Sequence, residues 1–150
     1  MRIMAIDYGD AHTGVAISDP TGFLTGFTTV IDAYRPEAVA ERIAALAAEH
    51  GAEELVLGHP LNMDGTRGPR AEKAEAMAEL LRSATGLPVA LWDERRTTID
   101  AHQILFNAGK NAKKRKKVVD AVAASLILEG YLTYKKNRPE GAPESPHGGG

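Results

Sequence analysis

The chain opens on a continuous apolar run, Ile3, Met4, Ala5 and Ile6, that stops at Asp7 and a glycine-bracketed turn. Such a run predicts a buried strand over residues 2–8. VAISD from Val15 predicts a returning strand, with the six residues GDAHTG as the hairpin connection. Residues 22–31, rich in aromatic and β-branched side chains, supply a third strand. Three strands with short connections make an antiparallel meander. The apolar spacing then turns helical: Val39, Ile43, Leu46 and Ala47 follow Pro36, a residue suited to a first helical position, and Gly51 ends the pattern. ELVLG at 54–58 predicts a short buried strand and GHPLNMDGTRGP a loop thick with turn residues. Residues 70–84 predict a second helix, stopped by Gly86 and Pro88, and 87–92 a fifth strand. A helix over 97–107, a basic connecting segment and a last helix over 118–135 complete the pattern.

This order predicts an α/β fold with a mixed five-stranded sheet. The first three strands form the antiparallel meander, the fourth and fifth add in parallel through helical crossovers, and helices cover both faces. One domain over 1–137 suits the length of the chain, and the proline- and glycine-rich tail 138–150 is expected to be disordered. Ligands of such sheets gather at the carboxyl ends of the parallel strands, so acids at those ends are the first candidates for chemistry.

Composition narrows the classes. Hydrophobic residues are 43% and charged ones 25% of the chain, an ordinary globular balance. The absence of cysteine excludes disulfides and thiolate metal sites, so a metal would be held by oxygen or imidazole. No apolar run approaches the ~18 residues of a membrane span, and MRIMAIDYG lacks the basic and apolar regions of a signal peptide. A cytoplasmic location with no membrane partner is therefore expected. The net charge of −2 is unevenly spread, because KNAKKRKK at 110–117 carries six positive charges and leaves the other residues at about −8. That points to one local contact with an anionic partner.

Asp7 closes the first strand, while Asp93 and Glu94 close the fifth. Each alone is most simply a capping or turn acid. If the strands are parallel neighbours, the carboxylates converge at one sheet edge, where their repulsion calls for a cation or bound protons. Asp120 is the third candidate. It lies in a helix where residues 118–128 are otherwise apolar except for Ser125, and Ala123, Ala124 and Ile127 share its side. Alone it reads as a first-turn acid at the positive end of the helix. With the strand-end acids it completes an oxygen cluster suited to Mg²⁺ or Mn²⁺. Strand alternation leaves open whether Asp93 or Glu94 faces that cluster. The basic segment precedes this helix and carries no interleaved aromatics, which predicts backbone contact with nucleic acid rather than base reading. The five histidines show no zinc-helix spacing, and His12 and His59 fall in the candidate site loops, as candidates for phosphate contact.

Four blocks in order, IDYGDAHTGVAISD, GHPLNMDGT, LWDERRTT and KKRKKVVDAVAASLILEGYL, together resemble the YqgF or RuvX family over residues 2–135. Members of that family are described as Holliday junction resolvases and as pre-16S rRNA nucleases, with a ribonuclease-H-like fold. The resemblance implies metal-binding acids at Asp7, at Glu94 within the DER triplet and at Asp120, with Asp93 as an additional ligand and one or two Mg²⁺ or Mn²⁺ ions as cofactor. Nucleic-acid contacts are expected from Arg95, Arg96, Lys110, Lys113, Lys114, Arg115, Lys116, Lys117, His12 and Asn62. The chain departs from the family pattern at His12 and Thr13, where a basic residue and an isoleucine are usual, and at Arg96, where leucine usually follows DER.

The function so implied is a metal-dependent endonuclease that processes the 5′ end of pre-16S rRNA in ribosome biogenesis, with structured RNA as its partner. Cleavage of branched DNA as a Holliday junction resolvase is the alternative, and it would favour a homodimer matched to a two-fold junction. DYGDAHTG also looks like the first phosphate loop of sugar-kinase and actin-type ATPases, which implies nucleotide binding. A non-catalytic RNA-binding assembly factor is the remaining reading, though a pure binder gains nothing from carboxylates facing phosphate.

Overall fold

A computed structural model of the chain describes residues 2–9, 12–21, 25–94 and 112–137, with the side chains of 121–135 in the last of these segments. Five strands form one sheet: β1 (Ile3–Asp7), β2 (His12–Ser18), β3 (Thr25–Asp32), β4 (Glu54–His59) and β5 (Val89–Asp93). Three helices accompany them: α1 (Pro36–His50), α2 (Pro69–Thr85) and α3 (Ala112–Asn137). The sheet order is β3-β2-β1-β4-β5. β1 pairs antiparallel with β2 and β2 with β3, whereas β1–β4 and β4–β5 are parallel. The mixed sheet is the one that the strand order predicts.

Both crossover helices begin at a proline in the first turn and end at a left-handed glycine, Gly51 at φ 68° and Gly86 at φ 69°. Proline's missing N–H costs nothing in a first turn, and glycine alone adopts that final conformation without steric penalty.

Alternation along the strands sorts their side chains into two cores. Met4, Ile6, Val15, Ile17, Leu55 and Leu57 face α1 and α2, where Ile43, Met77 and Leu81 are fully buried against them. Ile3, Ala5, Ala16, Val56 and Trp92 face α3, against Ala124, Ile127, Leu128 and Tyr131. The α3 side of the central strands is built of small residues, which lets that long helix lie close to the backbone. Tyr131 donates its hydroxyl proton to Glu54 at the start of β4, and the Lys135 Nζ lies 2.6 Å from the same carboxylate. Among the described residues no helix is long and apolar enough to cross a membrane.

Two boundaries differ from the sequence expectation. The basic run is not a connection before the last helix: α3 begins at Ala112, so Lys113 to Lys117 occupy its first turns. Alanine, lysine and arginine are strong helix formers, and a dense positive charge marks a change of surface, not of backbone. The hairpin connection is also shorter, because His12, Thr13 and Gly14 pair with Asp32, Ile31 and Val30 as part of β2. The third strand supplies hydrogen-bonding partners that a hairpin considered alone does not. The helix expected over 97–107, the first residues of the third strand and the tail 138–150 lie outside the described residues.

The Thr13 Oγ1 is buried with no hydrogen-bond partner among the described residues. A desolvated, unpaired hydroxyl is unfavourable. Thr13→Val, which keeps the shape and removes the polar atom, is expected to raise the unfolding free energy by about 1 kcal/mol. A denaturant midpoint at or below that of the parent protein would contradict this.

Candidate active site

The parallel strands β1, β4 and β5 all end at the same edge of the sheet: β1 stops at Asp7, opposite Gly58, and β4 and β5 stop one residue further on, with His59 paired to Asp93. On the α3 side of β1, Ile3 and Ala5 belong to the core, and Asp7 is the next residue of that parity, half-buried. On β4, Val56 is followed by Gly58; on β5, Trp92 is followed by Glu94. Across the edge Asp7, Gly58 and Trp92 are level on the α3 face, and Glu94, two residues past Trp92, is the acid on β5's side of that face.

Gly58 explains why that order works. A Cβ built on it would lie 2.7 Å from Glu94 Oε1 and 2.8 Å from Ile127 Cδ1. The missing side chain is thus the space into which the Glu94 carboxylate folds back over the central strand, beneath α3. β1 and β5 are two strand spacings apart, about 9.5 Å. A carboxylate lying over β4 spans part of that gap toward Asp7. Asp93 falls on the opposite parity, with Val89 and Leu91, and is buried on the α1/α2 side. The alternation that sequence alone left open separates Glu94, on the Asp7 side, from Asp93.

α3 brings the third acid toward the same edge. Its residues 131 and 135 are held at the start of β4, and Ile127 lies at its end, so the helix runs antiparallel to β4. Asp120 is two turns before Ile127, about 10.5 Å further along the axis and on the same helix face. Its backbone is therefore placed beyond the carboxyl ends of the strands. Among the described side chains, which do not include Asp120, no three His, Cys, Asp or Glu residues converge.

The expected nucleic-acid contacts divide. Arg95, Arg96 and Lys110 lie outside the described residues, and Lys113, Lys114, Arg115, Lys116 and Lys117 are placed by backbone along the first turns of α3. His12 lies on the meander, its Nδ1 2.6 Å from Asp32 Oδ1 on the neighbouring strand. Asn62 closes the loop after β4: its Nδ2 donates to Thr66 Oγ1 at 2.8 Å and its backbone N–H to the Thr66 carbonyl at 2.9 Å.

Sequence reasoning did not find the ion-pair cluster on the α1/α2 side of the same edge. His59 Nε2 lies 2.7 Å from Glu75 Oε2, and Arg67 grips both oxygens of that carboxylate, with Nε 2.8 Å from Oε2 and the second bond from Nη2 to Oε1. The Arg67 hydrogen bonds hold Glu75 below the usual carboxylate range against the opposing effect of burial, with His59 assisting, and Glu75 raises the Arg67 guanidinium in turn. These pairs tie the loop between β4 and α2 to the helix. No sequence motif marks them, because Arg67 and Glu75 meet only once the loop closes.

The sequence model of the RuvX family, described as Holliday junction resolvase, matches residues 1–134. The chain belongs to the RuvX family. It is 47% identical over 135 residues to a candidate pre-16S rRNA nuclease of Halothermothrix orenii, covering 90% of this chain and 96% of that one. A second candidate pre-16S rRNA nuclease, from Pelotomaculum thermopropionicum, is 43% identical over 155 residues, covering 97% and 100%. Among solved structures, Thermus thermophilus RuvC bound to a Holliday junction superposes with a TM-score of 0.62 at 14% identity, covering 93% of this chain and 99% of that one. This RuvX protein is a nuclease with a ribonuclease-H-like fold, and its chemistry is phosphodiester hydrolysis. That assignment sets aside the kinase-like reading of DYGDAHTG.

Gly58→Ala tests the role of the open space. Both atoms that its Cβ would meet are ends of flexible side chains, so the protein should fold with a loss of roughly 1–3 kcal/mol. Displacement of Glu94 should lower cleavage by an order of magnitude or more. Undiminished cleavage by the folded variant would show that the space is not needed.

Proposed function

We propose that this protein is a divalent-metal-dependent endonuclease that trims the 5′ end of pre-16S rRNA. The observation that carries the reading is the edge sequence Asp7, Gly58, Glu94 on the face toward which α3 directs position 120. The donor set is all carboxylate, as Mg²⁺ or Mn²⁺ prefers, and the glycine leaves room over β4 for the Glu94 carboxylate. Asp7, Glu94 and Asp120 would hold the metal, with Asp93 turned to the other side of the sheet. One or two such ions supply an activated water and charge neutralisation at the leaving oxygen.

The chain's own residues have three tasks. The carboxylates act as ligands and hold their positions through the strand ends and α3. The basic first turns of α3 offer positive charge to the phosphate backbone next to that acidic centre. α3 therefore serves both purposes, its amino-terminal turns meeting the strand to be cut and its apolar remainder seating Asp120. The named relatives favour rRNA as substrate; the family description favours branched DNA, which would call for a homodimer.

Asp7→Asn and Glu94→Gln should each reduce cleavage to background while leaving the folded state intact by circular dichroism. The assay presents precursor rRNA and a four-way DNA junction in parallel, each with Mg²⁺, Mn²⁺ and chelator. Cutting that persists in either variant, or in chelator, would overturn the metal centre, and cutting of the junction alone would replace the RNA assignment. Separately, neutralising Lys113, Lys114, Arg115 and Lys116 should flatten the dependence of RNA binding on salt, by roughly 0.7–0.9 in log–log slope for each phosphate that the protein no longer neutralises. An unchanged slope would remove that helix end from the interface.

A further inference from the structure

Asp7 points to the α3 side of the sheet, so the next residue, Tyr8, points to the other, where it packs against the core formed with α1 and α2. At that place the surface holds two adjoining cavities. One, of about 140 Å³, is lined by Tyr8, Gly9, Arg70 and Lys73. The other, of about 300 Å³, shares Tyr8 and Lys73 with it and extends between Tyr34, Pro36 and Leu80. The first is cationic with a bare backbone floor: a Cβ on Gly9 would lie 2.3 Å from the His12 carbonyl oxygen, so no side chain can stand there. The second is apolar and aromatic, and Tyr34 is 80% exposed, which buries little and leaves its ring available as a wall. Arg70 and Lys73 are one turn apart on α2, so both project from the same side of the helix.

We propose that these two cavities form one nucleotide subsite, beside the metal centre but on the opposite side of the β1 end. The phosphate of a nucleotide flanking the scissile bond sits between Arg70 and Lys73 over Gly9, and its base lies in the Tyr8–Tyr34 cavity. The geometry matches the ligand: a cation pair for a phosphate, next to an aromatic wall for a π-face, with two side chains common to both. Stacking on tyrosine is tolerant of base identity, so the subsite positions the strand without reading sequence. A strand that crosses the end of β1 from the acids to this cleft would be held on both sides of Asp7. The subsite rests on the reading of this chain as an RNA nuclease, but its test does not.

The direct test follows backbone amide resonances by NMR in chelator while uridine 5′-monophosphate, uridine or inorganic phosphate is added. Uridine 5′-monophosphate should shift Gly9, Arg70 and Lys73 together with Tyr34 and bind more tightly than phosphate or uridine alone. Arg70→Gln with Lys73→Gln should abolish the shifts. Tyr34→Ala, a change at an exposed site, should weaken nucleotide binding roughly ten-fold and leave phosphate binding unaltered. Absence of shifts at these amides, or equal binding of phosphate and nucleotide, would overturn the subsite whatever the nuclease assay shows. In RNA binding the double variant should lower the salt slope by about the equivalent of one phosphate while Tyr34→Ala leaves it unchanged. Slopes that move in the reverse pattern would also overturn it.

Discussion

The strict two-residue alternation of β1, β4 and β5, in parallel register, is the constraint on which the rest of the molecule depends. Because Ile6 is level with Leu57, and Leu57 with Leu91, the three strands finish within one residue of one another, and each residue at that edge has a fixed side. The same alternation that sends Met4 and Ile6 into one core and Ile3 and Ala5 into the other sends Asp7 toward α3 and Tyr8 toward α2. The proposed metal-binding face and the proposed nucleotide cleft are thus two consequences of one register. A slip by one residue would exchange them and would also send every buried side chain of the strand into the opposite core, so the packing of the cores protects the chemistry.

α3 makes the second contribution. A carboxylate on a helix over a sheet can approach strand-end acids only if the helix is close and correctly directed. Ala5, Ala16 and Ala124 supply the closeness, and the Glu54 anchor for Tyr131 and Lys135 supplies the direction. The anchor is far from the edge where Asp120 is proposed to act, so the placement of that position is a property of the whole helix. Its amino-terminal charge fits the same arrangement. Lysine and arginine near a helix amino terminus work against the macrodipole, a cost that a solvated structural helix has no reason to carry and that a bound polyanion removes.

Much of this is legible in the sequence because periodicity follows from burial. Strand and helix spacing, proline and glycine at helix ends, and acids stopping apolar runs are all local signals, and the sheet they describe is the one observed. What is not legible depends on contacts between distant positions. His12 to Gly14 read as a turn until β3 provides partners for them. The basic run reads as a break because its charge interrupts the apolar spacing, although charge says nothing about the backbone. The choice between Asp93 and Glu94 requires knowing which face of β5 meets α3. Arg67 and Glu75 become a pair only when the β4–α2 loop folds back.

Gly58 joins these points physically. In β4 it reads as a weakness, since glycine in a strand interior forfeits side-chain packing. Its place between β1 and β5 reverses that judgement: the central strand must be empty at this level for Glu94 to lie over it and for Ile127 to reach the sheet. A larger residue would improve the strand locally and separate the acids that the strand ends bring together. The glycine in GHPLNMDGT is therefore better understood as part of the acidic centre than as part of the loop that follows it.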